Sequence, residues 1–228
     1  MPYYNTYSGL NQNFIHCKKR INLEASTRCP LLCPGCARTR DVLEIDGHFR
    51  TWEIGDMDIE VFKLLVRPEN GLTSITYNMA LGDPIYSGTL FEQLKHLNSL
   101  SRRPIIHVST NGSGKGITWW EEFASLLGPM DVIEFAVDGL EDTNHIYRVN
   151  SKWDTIITGI KTLRKHWQGR INWRYIVFEH NYHQVKQANQ LAKSLNMSKF
   201  HILIGDARTP AHMLLKSKTW EELLDDIS

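Results

Sequence analysis

Short runs of Ile, Val, Phe and Tyr alternate along the chain with stretches whose apolar residues fall three or four apart. The runs Ile21–Ala25, Thr73–Met79, Ile105–Thr110, Val132–Val137, Ile171–Phe178 and Phe200–Ile204 are bounded by Gly, Asn and Asp, and predict six strands. Between them, Leu90, Leu94, Leu97 and Leu100 repeat with the period of a helix that buries one face. Val185, Ala188, Leu191, Ala192 and Leu195 do the same. Thr118-x-x-Glu121, Asn181-x-x-Gln184 and Thr219-x-x-Glu222 have capping-box spacing, and Asp56 and Asp154 stand where they would cap the helices that follow. The βα units run in one series without a Pro/Ser-rich linker. Strands separated by helices pair in parallel through right-handed crossovers, which predicts an α/β fold. An open doubly wound sheet and a barrel or partial barrel both satisfy this order, and both gather ligands at the C-terminal ends of the strands. Residues 1–20 read as an N-terminal extension, 21–206 as the core domain and 207–228 as a short helical tail.

Composition narrows the class. A chain of 228 residues, 42% hydrophobic and 22% charged, is long enough to bury a real core, which excludes a disordered or collagen-like polymer. A formal net charge of +1 gives no general attraction to nucleic acid or acidic lipid. No apolar run approaches the ~18 residues that cross a bilayer, so no membrane partner is expected. The opening MPYYNTYSGLNQNF is unlike a signal or transit peptide, and a cytoplasmic, reducing compartment is the expectation.

Of the four cysteines, Cys29, Cys33 and Cys36 fall together in RCPLLCPGC, while Cys17 stands alone. A disulfide framework spreads its cysteines to close loops, so this clustering points to metal chemistry. The loop begins just past the first strand, and Pro30, Pro34 and Gly35 keep it tight and non-helical. Three thiolates on a four-iron cluster leave one iron free for substrate or cofactor, unlike the four-cysteine sites of electron carriers. The competing reading is a zinc site closed by Cys17. Such sites use two close pairs of ligands, and Cys17 has no neighbouring cysteine. Cys17 otherwise reads as a buried or free thiol.

Cys29-x-x-x-Cys33-x-x-Cys36 after the first strand resembles the signature of the radical S-adenosylmethionine (radical SAM) superfamily, and further segments match it in order along nearly the whole chain. The resemblance implies a partial (β/α)6 TIM-like barrel with a 4Fe–4S cluster, whose free iron takes the amino and carboxylate groups of S-adenosylmethionine. It implies reductive cleavage of that cofactor to methionine and a 5′-deoxyadenosyl radical, which removes hydrogen from a substrate. It also implies an electron donor such as flavodoxin or ferredoxin.

The segments after later strands carry the remaining expectations. Leu81-Gly82-Asp83-Pro84 resembles the family's Gly-Gly-Glu-Pro, with Leu81 for the first Gly and the shorter Asp83 for Glu, and assigns Gly82, Asp83 and Pro84 to the cofactor's ammonium group. A Gly-Asp-Pro turn opening a helix is the plain alternative. Thr110-Asn111-Gly112 resembles the Thr-Asn-Gly of peptide-modifying members, so Asn111 either bonds the cofactor or turns the chain. The following Gly112-Ser113-Gly114-Lys115-Gly116 is not a phosphate loop, because Ser109 and Gly116 occupy positions that need Gly and Ser/Thr. Lys115 reads as a solvated loop charge. Asp138-Gly139 followed by His145-x-x-Arg148 resembles a third family segment, in which Ala136 replaces the usual Ser. Asp138 is assigned to the ribose region, and Arg148 either to the cofactor carboxylate or substrate, or to an ion pair with Asp138 or Glu141. Arg174, a cation in an apolar strand, either meets the methionyl carboxylate or faces outward. His180 and His183 read as surface histidines. Gly35 replaces the family's aromatic residue before the third cysteine, so any adenine stacking must come from elsewhere.

Together these segments are most similar to the peptide- and protein-modifying maturase (SPASM-like) branch. No cysteine follows Cys36, so the C-terminal auxiliary-cluster extension of that branch is not expected, which leaves a minimal enzyme or one needing a separate partner. Three functions remain open from sequence: a radical SAM oxidoreductase-type enzyme on a peptide or protein, one on a small metabolite or nucleotide precursor, and a non-catalytic iron–sulfur or zinc module. No residue is assigned as catalytic.

Overall fold

Six strands lie side by side, in the order of the sequence, in a computed structural model that describes residues 20–206 and 208–225: β1 (Arg20–Leu23), β2 (Ser74–Tyr77), β3 (Ile105–Thr110), β4 (Val132–Ala136), β5 (Arg170–Val177) and β6 (Lys199–Ile204). All five pairings are parallel, for example Ile75 with Ile106 and Tyr175 with Ile202. This order decides between the two architectures. A doubly wound sheet reverses direction at a switch point, whereas here every crossover steps the same way, so all helices cover one face and the sheet curls around the other. Neither β1 nor β6 pairs onward among the described strands, which makes the barrel partial.

The helices are α1 (Ala37–Val42), α2 (Ile59–Leu65), α3 (Leu90–Ser99), α4 (Ile117–Ser125), α5 (Asn144–Tyr147), α6 (Trp153–His166), α7 (Val185–Ser194) and α8 (Trp220–Asp225). Their starts differ from several sequence expectations. Asp58, not Asp56, caps α2, accepting hydrogen bonds from the backbone N–H groups of Glu60 and Val61. Asp56 instead accepts from the Ser26 hydroxyl at 2.6 Å and from the Gly88 N–H at 3.1 Å. Thr118 and Asp154 lie inside the first turns of α4 and α6, behind Gly116 and Lys152. Asn181 is drawn off its capping position into a buried bridge. Its side chain donates to the Asp138 and Ile176 carbonyls and accepts from Phe178 N–H. Only Thr219 and Glu222 form the reciprocal box, ahead of α8.

Alternation along the strands divides the molecule. Ile106, Val108, Ile133, Phe135, Ile171, Trp173 and Tyr175 point to the helices and are fully buried against Leu94, Trp120, Phe123, Ile160 and Val185. Each such aliphatic or aromatic side chain contributes roughly 1.5–3 kcal/mol on burial. The opposite parity carries Asn22, Thr76, His107, Ser109, Glu134, Asn172, Arg174 and His201, so the inner face is polar. At the N-terminal end of the strands, Arg103 grips the fully buried Asp131 through two bonds of 2.8 and 2.6 Å, and Ile106 N–H donates to the same carboxylate. That end is locked; the opposite end holds the chemistry.

The segment after β6 packs onto the domain. Leu223 is fully buried in the main core, and Met213 joins a smaller cluster with Leu31, Cys33, Tyr147 and Phe178. The stretch 1–19, including Cys17 and nearly all of the expected N-terminal extension, lies outside the described residues. Among the described residues no helix is long and apolar enough to cross a membrane.

Candidate metal centre

The three-cysteine loop leaves β1 and is fastened to strand ends on both sides. Asp83 N–H donates to the Arg28 carbonyl at 2.9 Å, Leu32 N–H to the Val149 carbonyl at 3.1 Å, and the Asn150 amide to the Pro30 carbonyl at 3.2 Å. Within the loop, Cys36 N–H donates to the Cys33 carbonyl at 3.0 Å, and Cys36 then starts α1. Pro30 and Pro34 carry no N–H, which spares this irregular backbone two donors. The loop forms one wall of a cavity of about 400 Å³ at the C-terminal ends of the strands, and all three cysteines line it.

Gly82, Asp83, Asn111, Arg148 and Arg174 line the same cavity, whereas Pro84 and Asp138 do not. Asp83 is fully buried. Its Oδ2 accepts from Asn111 N–H at 2.6 Å, from the Asn111 side-chain amide and from the Thr110 hydroxyl at 3.1 Å, while Oδ1 caps the turn that Pro84 begins. Burial pushes its carboxyl up to about 6 despite these donors. Asn111 reaches on to Cys29, with Nδ2 3.7 Å from Sγ. Gly82 is small for the chain's own sake: a Cβ there would stand 2.0 Å from the Ser26 carbonyl oxygen.

Arg148 is held by Asp138. Its Nε donates to Oδ2 at 2.6 Å, Ile176 N–H donates to Oδ1 at 2.7 Å, and Arg148 Nη1 lies 3.9 Å from Cys33 Sγ. Of the two roles open from sequence, the structure therefore shows the ion pair with Asp138. Arg174 faces inward and sits 3.4 Å from Glu134. Two other expectations change, those for Lys115 and His180. Lys115 is part-buried and lies over the rings of Tyr86 and Trp119, 4.9 and 5.2 Å from their centres. His180 stacks on Phe178 and is half-buried, while His183 is exposed. Beside Gly35, an aromatic ring arrives from Tyr147.

Burial pushes the Cys29 thiol up to about 12, with the Asp83 carboxylate adding to it, and raises Cys33 against the opposing pull of Arg148. Thiols held protonated by burial ionise against metal cations. Among the described residues no three His, Cys, Asp or Glu side chains converge on a single ion. Sulfurs that each serve a different iron of a cluster need no such convergence. Two sulfurs have N–H donors, from Asn111 and Arg148, and Arg38, lining the same cavity, carries a buried Nη1 without a partner. This donor set fits a three-thiolate iron–sulfur cluster with Cys29, Cys33 and Cys36 as its ligands. Sequence reasoning missed Tyr147, Arg38, Arg208 and Thr209 as cavity residues. Tyr147 and Arg38 each stood within two residues of an assigned position, the one signal they offered.

No family model and no curated protein matches the sequence. Solved structures do. SuiB of Streptococcus suis bound to the precursor peptide SuiA superposes with a TM-score of 0.68 at 13% identity over 90% of this chain and 44% of that one. The structure of anSMEcpe with bound AdoMet gives 0.69 at 16% identity over 92% and 56%. That of TYW1 with a lysine-pyruvate adduct gives 0.58 at 14% over 86% and 68%. The chain thus spans about half the length of the first two. The likeness establishes the fold, the partial (β/α)6 barrel of radical SAM enzymes.

Proposed function

We propose that the chain is a radical SAM enzyme of oxidoreductase type, with Cys29, Cys33 and Cys36 holding a 4Fe–4S cluster and a peptide or protein as substrate. The observation that carries this reading is the placement of all three cysteines on one wall of a cavity at the C-terminal ends of six parallel strands. When bound, such a cluster delivers one electron, received from a donor such as flavodoxin or ferredoxin, that cleaves S-adenosylmethionine to methionine and a 5′-deoxyadenosyl radical.

The chain's own residues fix and shelter that site. Asn111 and Arg148 orient two sulfurs and temper their charge. Asp83 ties the ends of β2 and β3 to the loop. Leu31, Tyr147, Phe178 and Met213 exclude water behind Cys33. The peptide carried by SuiB, a protein of the same fold, supports a peptide substrate. A second reading, a small polar substrate, draws on the polar inner face of the sheet.

The test is iron and sulfide analysis of protein purified without oxygen, followed by an assay of reductive S-adenosylmethionine cleavage. Four irons and four sulfides per chain are expected from the cluster assigned here, with cleavage lost in Cys33→Ala. A colourless protein holding one zinc and no sulfide overturns the reading.

A further inference from the structure

The cavity is lined by four guanidinium groups, and three of them are already matched by a carboxylate. Arg148 pairs with Asp138 at 2.6 Å, Arg174 with Glu134 at 3.4 Å, and Arg208 with Asp206. Arg38 is the exception. It is 7% exposed, its Nε donates to the Thr27 carbonyl at 3.1 Å, and its Nη1 is buried with no partner. Among the described residues no carboxylate pairs with it.

A buried cation without a counter-charge is costly, and a planar fork with a free N–H is suited to a carboxylate. The other three guanidiniums are poorer candidates. An incoming carboxylate there meets Asp138, Glu134 or Asp206 as a like-charged partner already in place, whereas Arg38 has no paired carboxylate to displace. Position adds to this: Arg38 lies on α1, two residues after Cys36, and reaches back across the loop to Thr27, so its head group is fixed beside the thiols. Its elongated stem is packed, which leaves little rotamer freedom to lose on binding.

We propose that Arg38 is the carboxylate-binding residue of this cavity, the group that receives the α-carboxylate of the amino-acid half of S-adenosylmethionine. The assignment rests on the reading above and departs from the sequence expectation, which gave that carboxylate to Arg148 or Arg174.

The experiment is a binding comparison on the full chain with its cluster reconstituted, by equilibrium dialysis of S-adenosylmethionine and of decarboxylated S-adenosylmethionine. The wild-type protein is expected to favour the carboxylated compound by about 10- to 100-fold. Arg38→Met is expected to lower that preference several-fold by weakening the carboxylated compound alone, the remainder being due to the iron that takes the same carboxylate, and Arg38→Lys to restore part of the loss. Arg174→Met is expected to keep the preference. Equal weakening of both compounds in Arg38→Met means that the guanidinium serves the cluster's charge instead, and overturns the proposal; so does a preference left intact. Failure to load iron, or to bind either compound in the wild-type protein, overturns the radical SAM reading itself and is distinct from either result. Should Arg38→Met not fold, Arg38→Lys carries the test: exchanging a planar, two-pronged donor for a single ammonium lowers the preference, and an unchanged preference overturns the proposal.

Discussion

The hydroxyl of Tyr147 stands 2.7 Å from the point that a Cβ on Gly35 would occupy, and the Arg208 carbonyl oxygen stands 3.1 Å from the same point. Tyr147 is nearly buried and lies against Phe178, with ring centres 4.3 Å apart, so it has nowhere to swing. Gly35→Ala is therefore expected to cost about 1–3 kcal/mol through overpacking. Tyr147→Phe, which removes the hydroxyl, should recover part of that loss in the double variant. Urea denaturation of the two single variants and the double one measures the coupling. Purely additive losses would show that the two positions do not touch.

Arg148 and Asp138 form an ion pair with almost no exposure. Arg148→Met leaves Asp138 buried without its cation and is expected to destabilise the fold by about 3–5 kcal/mol. Pairing it with Asp138→Asn removes the orphaned charge and should return a substantial share. Chemical denaturation of the metal-free protein checks this, and a double variant as unstable as Arg148→Met contradicts it.

Asp83 makes stability depend on pH in an unusual direction. Burial holds its carboxyl at about 6, above the ordinary carboxylate value, so the folded protein binds this proton more tightly than the unfolded chain. Its contribution is complete below about pH 4 and is lost as pH rises through 6, a change of about 3 kcal/mol for the metal-free protein. Asp83→Asn cannot titrate. The difference in unfolding free energy between the two proteins, measured by urea at several pH values, should shift in favour of the variant between pH 4 and 7. A constant difference refutes the role of burial.

Gly82 and Gly116 make opposite predictions for the same substitution. A Cβ on Gly82 meets main chain at 2.0 Å, while one on Gly116, at φ −85°, meets nothing within 4 Å. Gly82→Ala is expected to lose more than about 3 kcal/mol, or to give no soluble protein. Gly116→Ala should stay within about 1 kcal/mol of wild type, because the backbone-entropy gain is offset by the poorer cap that Ala makes at the start of α4. Thermal melts of the two variants side by side decide it.

The strands were legible because Ile105–Thr110 and Ile171–Phe178 are β-branched and aromatic runs between turn residues, and such runs have few other stable homes. From the apolar pattern alone the partial barrel was not separable from a doubly wound sheet, because strand order is a tertiary fact with no local trace; the resemblance carried by the cysteine spacing made that choice. Helix starts failed where a distant partner outbid the local cap: Ser26 and Gly88 take Asp56, and Asp138 takes Asn181. The cysteines were legible from spacing alone. Arg38 was not, since nothing in the sequence tells a paired guanidinium from an unpaired one. The polar inner face had left a visible sign, alternate polar residues at His107 and Ser109 and at Asn172 and Arg174, of which only Arg174 was singled out in the sequence.

Where Gly82 passes the Ser26–Thr27 bond, two loops touch main chain to main chain. On one side of that crossing the Ser26 and Thr27 hydroxyls are themselves anchored, to Asp56 and to the Gly55 main chain, so the thiols keep their place opposite the acid that faces them. What inheritance must guard at that crossing is a single missing methyl group.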